Sequence, residues 1–297
     1  MNVLLATSRE VGGFSHDDMV LVDALQRRRV DVDAIVWEDA FSATRVADAL
    51  VVRSTWNYHH AATEFLAWIH AHECLGWRIV NSPGLIAWNL QKSYLLALRE
   101  RDIPIVPTVL CKTLADFQAF LAGSTWSDVV IKPALSASAY LAKRFLLPEF
   151  SSEPHVQTIF AQGRDVLVQP FVTEVLSDGE RSYVVIDSEI THCVTRPAFT
   201  RGAAGGETRE RAISTRSDEA ALVLAVLAAL PEVPLYARVD IVRYGGMPVV
   251  SEVELIEPCL YFRKNPAAAD RFAAALIDAV RNDRGGVDRV AHGIAIR

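Results

Sequence analysis

The densest chemistry in the chain lies in two short runs, Arg238-Val239-Asp240 and, past Tyr244-Gly245-Gly246, Glu252-Val253-Glu254. Alternate residues of a strand share a face. Arg238 and Asp240 therefore fall on one face, and Glu252 and Glu254 on one face of the partner strand. Carboxylates so placed repel each other, and a divalent cation would remove that repulsion. Oxygen ligands select Mg2+ or Mn2+, which often share such a site with substrate phosphates. The bland alternative, a solvated strand face, is disfavoured by the Val and Leu that flank both runs. Lys92 opens a helix ahead of a proline linker, and Lys132 ends the apolar run Val129-Val130-Ile131 before Pro133. Isolated lysines are commonly surface charges, but one that closes an apolar strand can meet phosphate as a mobile point charge. The small residues at 134–139 could cradle phosphate with backbone N–H groups.

A third cluster begins at Gln169-Pro170-Phe171-Val172, where extended backbone offers an N–H and a C=O to an adenine edge. Asp178-Gly179-Glu180-Arg181 follows at a turn, Arg196 closes the strand at 190–195, and residues 201–206 form a loop ending in Gly205-Gly206. Nearer the N-terminus, Arg53-Ser54-Thr55-Trp56-Asn57-Tyr58 follows the apolar segment 49–52. Ligands of open α/β sheets sit beyond the carboxyl ends of strands. Arg53 could pair there with a substrate carboxylate, with Ser54 facing the same cleft. Against this, Trp56 and Tyr58 could simply pack at a domain junction while Arg53 pairs with Glu38 or Asp39.

The elements that must position these groups follow from periodicity and breakers. Strands are expected at 3–7, 32–37, 49–52 and 78–80, with helices at 17–29 and 63–72, the order of a mostly parallel α/β layer. Gly12-Gly13 stands alone after the first strand, so a dinucleotide fingerprint is a weak reading. A helix at 92–101 precedes Pro104 and Pro107, which hold 103–108 extended. Further strands are expected at 109–111, 129–132, 166–169, 182–186 and 190–195, with helices at 114–121, 156–162, 218–230 and 267–280. Residues 236–243 and 248–255 form a hairpin. The second half is thus α+β with antiparallel sheets.

The 297 residues suggest about two domains at roughly 150 residues each. Apolar residues are 51% and charged residues 22%, which fits a folded globular chain. The net charge of −6 disfavours a nucleic-acid binder. The longest apolar run, 220–230, is too short to span a membrane, and the N-terminus reads as a first strand and not as a signal peptide. Four scattered cysteines without metal spacing fit free thiols in a reducing cytoplasm.

In order, Lys92, Ile131-Lys132-Pro133, Gln169-Pro170-Phe171-Val172, Arg238-Val239-Asp240 and Glu252-Val253-Glu254 resemble the ATP-grasp superfamily, whose familiar members include glutathione synthetase and D-alanine–D-alanine ligase. The resemblance covers about residues 88–282. It implies an ATP-grasp fold with a pre-ATP-grasp α/β domain at 1–88, a small central lobe with its linker helix at 89–172 and a C-terminal lobe with the metal site at 173–297. It further implies that Lys92 and Lys132 hold ATP phosphates and that Gln169, Pro170, Phe171 and Val172 form the adenine hinge. Glu180, or else Glu174 or Asp178, would hold the ribose. Arg181, Arg196 and Arg238 would neutralise transferring phosphate, and Asp240, Glu252 and Glu254 would bind Mg2+. The loop with Gly205 and Gly206 would close over the substrate. Two departures stand out: Glu254 replaces the family's usual Asn, and Ser and Ala replace Gly after Lys132.

Val52-Arg53-Ser54-Thr55-Trp56-Asn57-Tyr58, Trp88-Asn89-Leu90-Gln91-Lys92, Gly179-Glu180-Arg181-Ser182 and the run from Ser251 to Pro258 look like a subgroup of small ATP-grasp ligases. That subgroup includes the O-ureido-serine cyclo-ligase of D-cycloserine biosynthesis. The resemblance therefore implies a soluble carbon–nitrogen ligase using ATP and Mg2+ on a small amino-acid-derived carboxylate, with no nucleic-acid or membrane partner and with a homo-oligomer allowed. Intramolecular cyclisation is favoured over intermolecular ligation to an amine, and both over a non-catalytic nucleotide-binding module.

Overall fold

The computed structural model describes residues 1–40, 46–147, 152–196 and 210–291, with side chains up to residue 282. The first layer holds β1 (Asn2–Thr7), α1 (Asp18–Arg27), β2 (Asp31–Val36), β3 (Ala49–Ser54), α2 (Ala62–Cys74) and β4 (Arg78–Val80). Its sheet runs β2-β1-β3-β4 and every pairing is parallel, as the alternating pattern predicts. β1 and β3 are buried almost throughout, because helices cover a parallel sheet on both faces.

Two short helices carry the chain onward. α3 (Pro83–Asn89) starts where Pro83 needs no N–H and Ser82 Oγ accepts from Leu85 N at 3.1 Å. Periodicity alone did not reveal it. α4 (Tyr94–Arg99) is a shorter version of the helix expected at 92–101. The linker is extended as its prolines require. Val106 N donates to Val250 O and Val250 N to Pro104 O, both at 2.9 Å, so the linker lies along a strand of the last sheet.

The central sheet contains β5 (Val109–Cys111), α5 (Leu114–Gly123), β6 (Asp128–Pro133), β7 (Lys143–Leu146), α6 (Ser152–Phe160) and β8 (Val166–Pro170), in the order β5-β8-β6-β7. Thr113 and Asp116 close a capping box at the start of α5. Val129, Ile131, Val166 and Val168 face a core with Phe117, Phe145, Val156 and Ile159. By strand alternation Val130, Lys132 and Gln169 face the other way, and the antiparallel register sets Val130 opposite Gln169.

The last sheet follows α7 (Val175–Asp178) and comprises β9 (Glu180–Ile186), β10 (Glu189–Arg196), β11 (Arg211–Ile213), β12 (Tyr236–Tyr244) and β13 (Met247–Glu254), ordered β11-β10-β9-β12-β13 and wholly antiparallel. The β12–β13 turn uses Gly245 at φ 60° and Gly246 at φ 80°, the two positive-φ positions a tight hairpin requires. α8 (Ser217–Ala229) packs on one face. α9 (Pro266–Ala291) returns to pack against α1, so a single core joins the first layer to the last sheet through Tyr236, Phe262 and Phe272. No helix among the described residues is long and apolar enough to cross a membrane. All four cysteines are free.

Candidate active site

The antiparallel register assembles one polar face on the last sheet. Arg238 lies opposite Glu254, Asp240 opposite Glu252 and also opposite Ser182, and Arg196 opposite Glu180. The β12–β13 register shifts after Asp240. Ser251 is the extra residue of that bulge, and its hydroxyl donates to Glu180 Oε1 at 2.7 Å. Gly179 is obligatory next to this face: it has φ 72°, and a Cβ there would stand 2.6 Å from Thr195 Oγ1 and 2.7 Å from Arg196 O.

One ligand oxygen from each of Asp240, Glu252 and Glu254 can be chosen so that all three lie within 4.8 Å of one another. These hard donors at this spacing fit Mg2+ or Mn2+. The three carboxylates do not stand as bare repelling charges, as their spacing suggests, because basic groups already compensate them. Arg238 Nε and Nη2 clamp Asp240 at 2.9 and 2.8 Å, and Arg238 also bonds Glu254. Arg196 Nη2 bridges Glu180 at 2.6 Å and Asp240 at 2.8 Å. Lys92 Nζ reaches Glu252 Oε1 at 2.5 Å and Ser136 O at 2.8 Å. What remains for a cation is oxygen capacity, including the second oxygen of Glu252.

Burial dominates the electrostatics. It would push the Asp240 carboxyl up, but Arg238 and Arg196 hold it below its ordinary value. In the same way Lys92 and Lys132 overcome burial at Glu252 and hold it low. At Glu254 burial wins over Arg238, and the carboxyl is pushed up to about 7. Burial lowers the Lys132 ammonium, Glu252 pulls it back up, and Lys92 opposes. Lys132 has no hydrogen-bond or ion-pair partner among the described residues, so its charge is available to a ligand. It belongs to the central sheet yet feels Glu252 and Glu180 on the last sheet, so the two sheets face each other across one cleft.

The linker helices are tied to this cleft. Asn89 Nδ2 donates to Val253 O and its Oδ1 accepts from Leu255 N, both at 2.9 Å, so a side-chain amide completes the edge of β13. Tyr94 OH accepts from Val253 N at 2.9 Å. Neither contact was legible from spacing. At the hinge, Gln169 Nε2 donates to Thr108 Oγ1 at 2.8 Å, and Phe171 N is spent on Asp128 O at 2.8 Å. The Val172 amide has no hydrogen-bond partner among the described residues.

Several expected site residues lie elsewhere. Arg181 is one position out of phase with Glu180, so it points to the opposite face of β9. There its Nε meets the fully buried Glu219 at 2.6 Å, beside Tyr183. It cannot neutralise charge in the cleft. Arg53 is buried, and its Nε bonds Asp18 Oδ1 at 2.8 Å while Ser54 Oγ bonds Asp18 Oδ2. Asp18 thus holds Arg53 Nε and Ser54 Oγ, while Arg53 Nη1 is buried without a hydrogen-bond partner among the described residues; Arg53 does not pair with Glu38 or Asp39, which Arg9 takes instead. Glu180 sits inside the charge cluster, bonded by Arg196 and Ser251. Asp178 pairs with Arg216 outside the cleft. Glu174 lies past the hinge, where its Oε1 accepts from Gly245 N at 2.9 Å. Gly205 and Gly206 fall outside the described residues.

With this geometry in view, the comparisons are consistent. A family model for the N-terminal domain of D-cycloserine synthetase DcsG matches residues 3–81. Cycloserine biosynthesis protein DcsG of Streptomyces lavendulae is 29% identical over 284 residues, spanning 90% of this chain and 94% of the relative. The crystal structure of D-cycloserine synthetase DcsG superposes with a TM-score of 0.84 at 27% identity, over 94% of this chain and 100% of that one. A RimK domain ATP-grasp protein from Sphaerobacter thermophilus shares the fold, with a TM-score of 0.69 at 18% identity over 93% and 100% of the two chains. The fold is the ATP-grasp fold.

Proposed function

We propose, from the kinship of this chain with the ATP-grasp ligases and with D-cycloserine synthetase among them, that it is an ATP-dependent carbon–nitrogen ligase that cyclises O-ureido-D-serine. The observation that carries this reading is the convergence on Glu252. Lys92 from the linker bonds it, Lys132 from the central sheet feels it, and Asp240 stands opposite it on the hairpin.

ATP lies between the central and last sheets. Val172 offers its amide to the adenine, Glu174 is the ribose group, and Lys92 and Lys132 hold the phosphates. Asp240, Glu252 and Glu254 would hold Mg2+, which when bound supplies positive charge to the phosphate oxygens. A substrate carboxylate oxygen attacks the γ-phosphorus, the bond to ADP breaks, and an acyl-phosphate forms. Arg196 and Arg238 are fixed beforehand by Glu180, Asp240 and Glu254, so they meet the developing charge with little reorganisation. The nitrogen bonded to oxygen in the ureido group then attacks the acyl carbon, phosphate leaves and the nitrogen loses its proton. Tethering makes this attack intramolecular, which can replace a second substrate at high effective concentration. Hydrolytic loss of the carbamoyl group gives cycloserine.

The test supplies O-ureido-D-serine, ATP and Mg2+ with no other amine, and measures cyclic product per phosphate released. A ratio near one is expected. A ratio near zero, with turnover restored by a second amine, replaces this reading with the intermolecular ligase.

A further inference from the structure

Glu257 and Tyr58 have no part in the chemistry above, yet both are more than nine-tenths buried, at 8% and 5% exposure. Beyond its own backbone N–H, the Glu257 carboxyl has no hydrogen-bond or ion-pair partner among the described residues, and the Tyr58 hydroxyl has none. The two side chains are mostly buried, but their polar atoms are not among those sealed away without a partner, so a donor and an acceptor with no protein partner stay open to a ligand.

Independent contacts bring the two segments together. Trp56 Nε1 donates to Glu257 O at 3.3 Å, and Tyr58 shares an apolar cluster with Ile256, the residue before Glu257. Burial, then the Glu257, Glu254 and Glu252 carboxylates in that order, hold the Tyr58 phenol well above its ordinary value, so it keeps its proton and can donate. Burial and Glu254 push the Glu257 carboxyl well up, against Lys92. The pair therefore borders the Lys92–Glu252–Glu254 cluster from the side of the first layer. A hydroxyl donor beside a carboxyl acceptor is complementary to the C=O and NH2 of a carbamoyl group.

We infer that Tyr58 and Glu257 bind the carbamoyl end of the substrate, Tyr58 donating to its carbonyl oxygen and Glu257 accepting from its NH2. This assignment rests on the cyclisation reading. Held there, the carbamoyl group aims the adjoining nitrogen toward the carbon activated beside Arg238 and Glu254.

The experiment compares two reactions of the full chain. One is cyclisation of O-ureido-D-serine, read as ring product per phosphate together with KM. The other is ATP-dependent hydroxamate formation from O-methyl-D-serine and hydroxylamine, which involves no carbamoyl group. Loss of such a hydrogen bond in Y58F or E257L should lower the ring-to-phosphate ratio roughly tenfold while hydroxamate formation is kept. E257Q, which retains an acceptor oxygen, should keep most of the ratio. If wild type cyclises and Y58F and E257L do so with unchanged ratio and KM, the assignment is overturned. Equal losses in both reactions make the two residues structural and also overturn it. A wild type that forms the hydroxamate but no ring overturns the cyclisation reading itself.

Discussion

Glu252→Gln is the sharpest test of the cleft. The side chain keeps its shape and its acceptor oxygen toward Lys92 but loses its charge. In the structure Lys92 Nζ lies 2.5 Å from Glu252 Oε1, with the two side chains 12% and 25% exposed. A hydrogen bond involving a charged partner contributes about 1.5–3 kcal/mol and a neutral pair about 0.5–1.5 kcal/mol. Lys92 stays charged in the variant and both groups are partly solvated, so the stability cost should be about 1 kcal/mol, a fall of a few degrees in Tm. The catalytic cost should be far larger. Removing one preorganised group from a site of developing charge costs about 10²–10³ in kcat, and this substitution also weakens the cation site. The assay is phosphate release at saturating ATP with Mg2+ titrated, alongside a thermal melt. A near-native melt with a turnover loss of that order is expected. Wild-type turnover at limiting Mg2+ would place the cation elsewhere and refute the reasoning.

Arg181→Met should act on stability instead. It removes the 2.6 Å partner of the buried Glu219, which keeps Arg216, Arg243 and the Tyr183 hydroxyl, so urea denaturation should show a loss of about 1.5–3 kcal/mol, that of one hydrogen bond to a charged group, with turnover per folded molecule unchanged. Glu254, pushed up to about 7 mainly by burial, carries a proton below that pH, and the proton competes with the cation. Mg2+ affinity by calorimetry should therefore rise as pH increases through 7, and E254Q should flatten the dependence. Lys132→Met removes a cation that has no hydrogen-bond or ion-pair partner among the described residues, so the KM for ATP should rise with little change in Tm. Asn89→Leu leaves Val253 O and Leu255 N unpaired. Tm should fall in accord with about 1–3 kcal/mol per buried group, and the KM for Mg2+ should rise as β13 loosens.

Much of the architecture was legible because it is local. The parallel first layer follows from alternating strand and helix periods, and the hairpin from Gly245-Gly246. The extended linker follows from Pro104 and Pro107. The sharing of one face by Arg238 with Asp240, and by Glu252 with Glu254, follows from the two-residue period of a strand. α3 is only seven residues long, too short for its apolar period to register, and α4 is shorter than expected. β7 was missed too, because the alternation in Lys143–Leu146 is too short to register.

Which residues lie near one another along a strand, and which share a face, can be read from residue order, because backbone stereochemistry sets both. Residue order does not determine which face turns toward the cleft. Glu180 and Arg181 are neighbours, and only the packing of α8 with Glu219 against one side of β9 turned Arg181 away and left Glu180 with Arg196. Arg53 follows an apolar strand as expected, and only the fold shows that Asp18 of α1 takes its Nε and leaves its Nη1 unpartnered among the described residues. Nor did spacing show that Lys92 and Arg196 would neutralise the acidic hairpin, or that Tyr58 would stand beside Glu257. Those pairings join residues 44 to about 200 positions apart. Charge attraction and burial act through distance in space, and only the folded arrangement of the three sheets sets that distance.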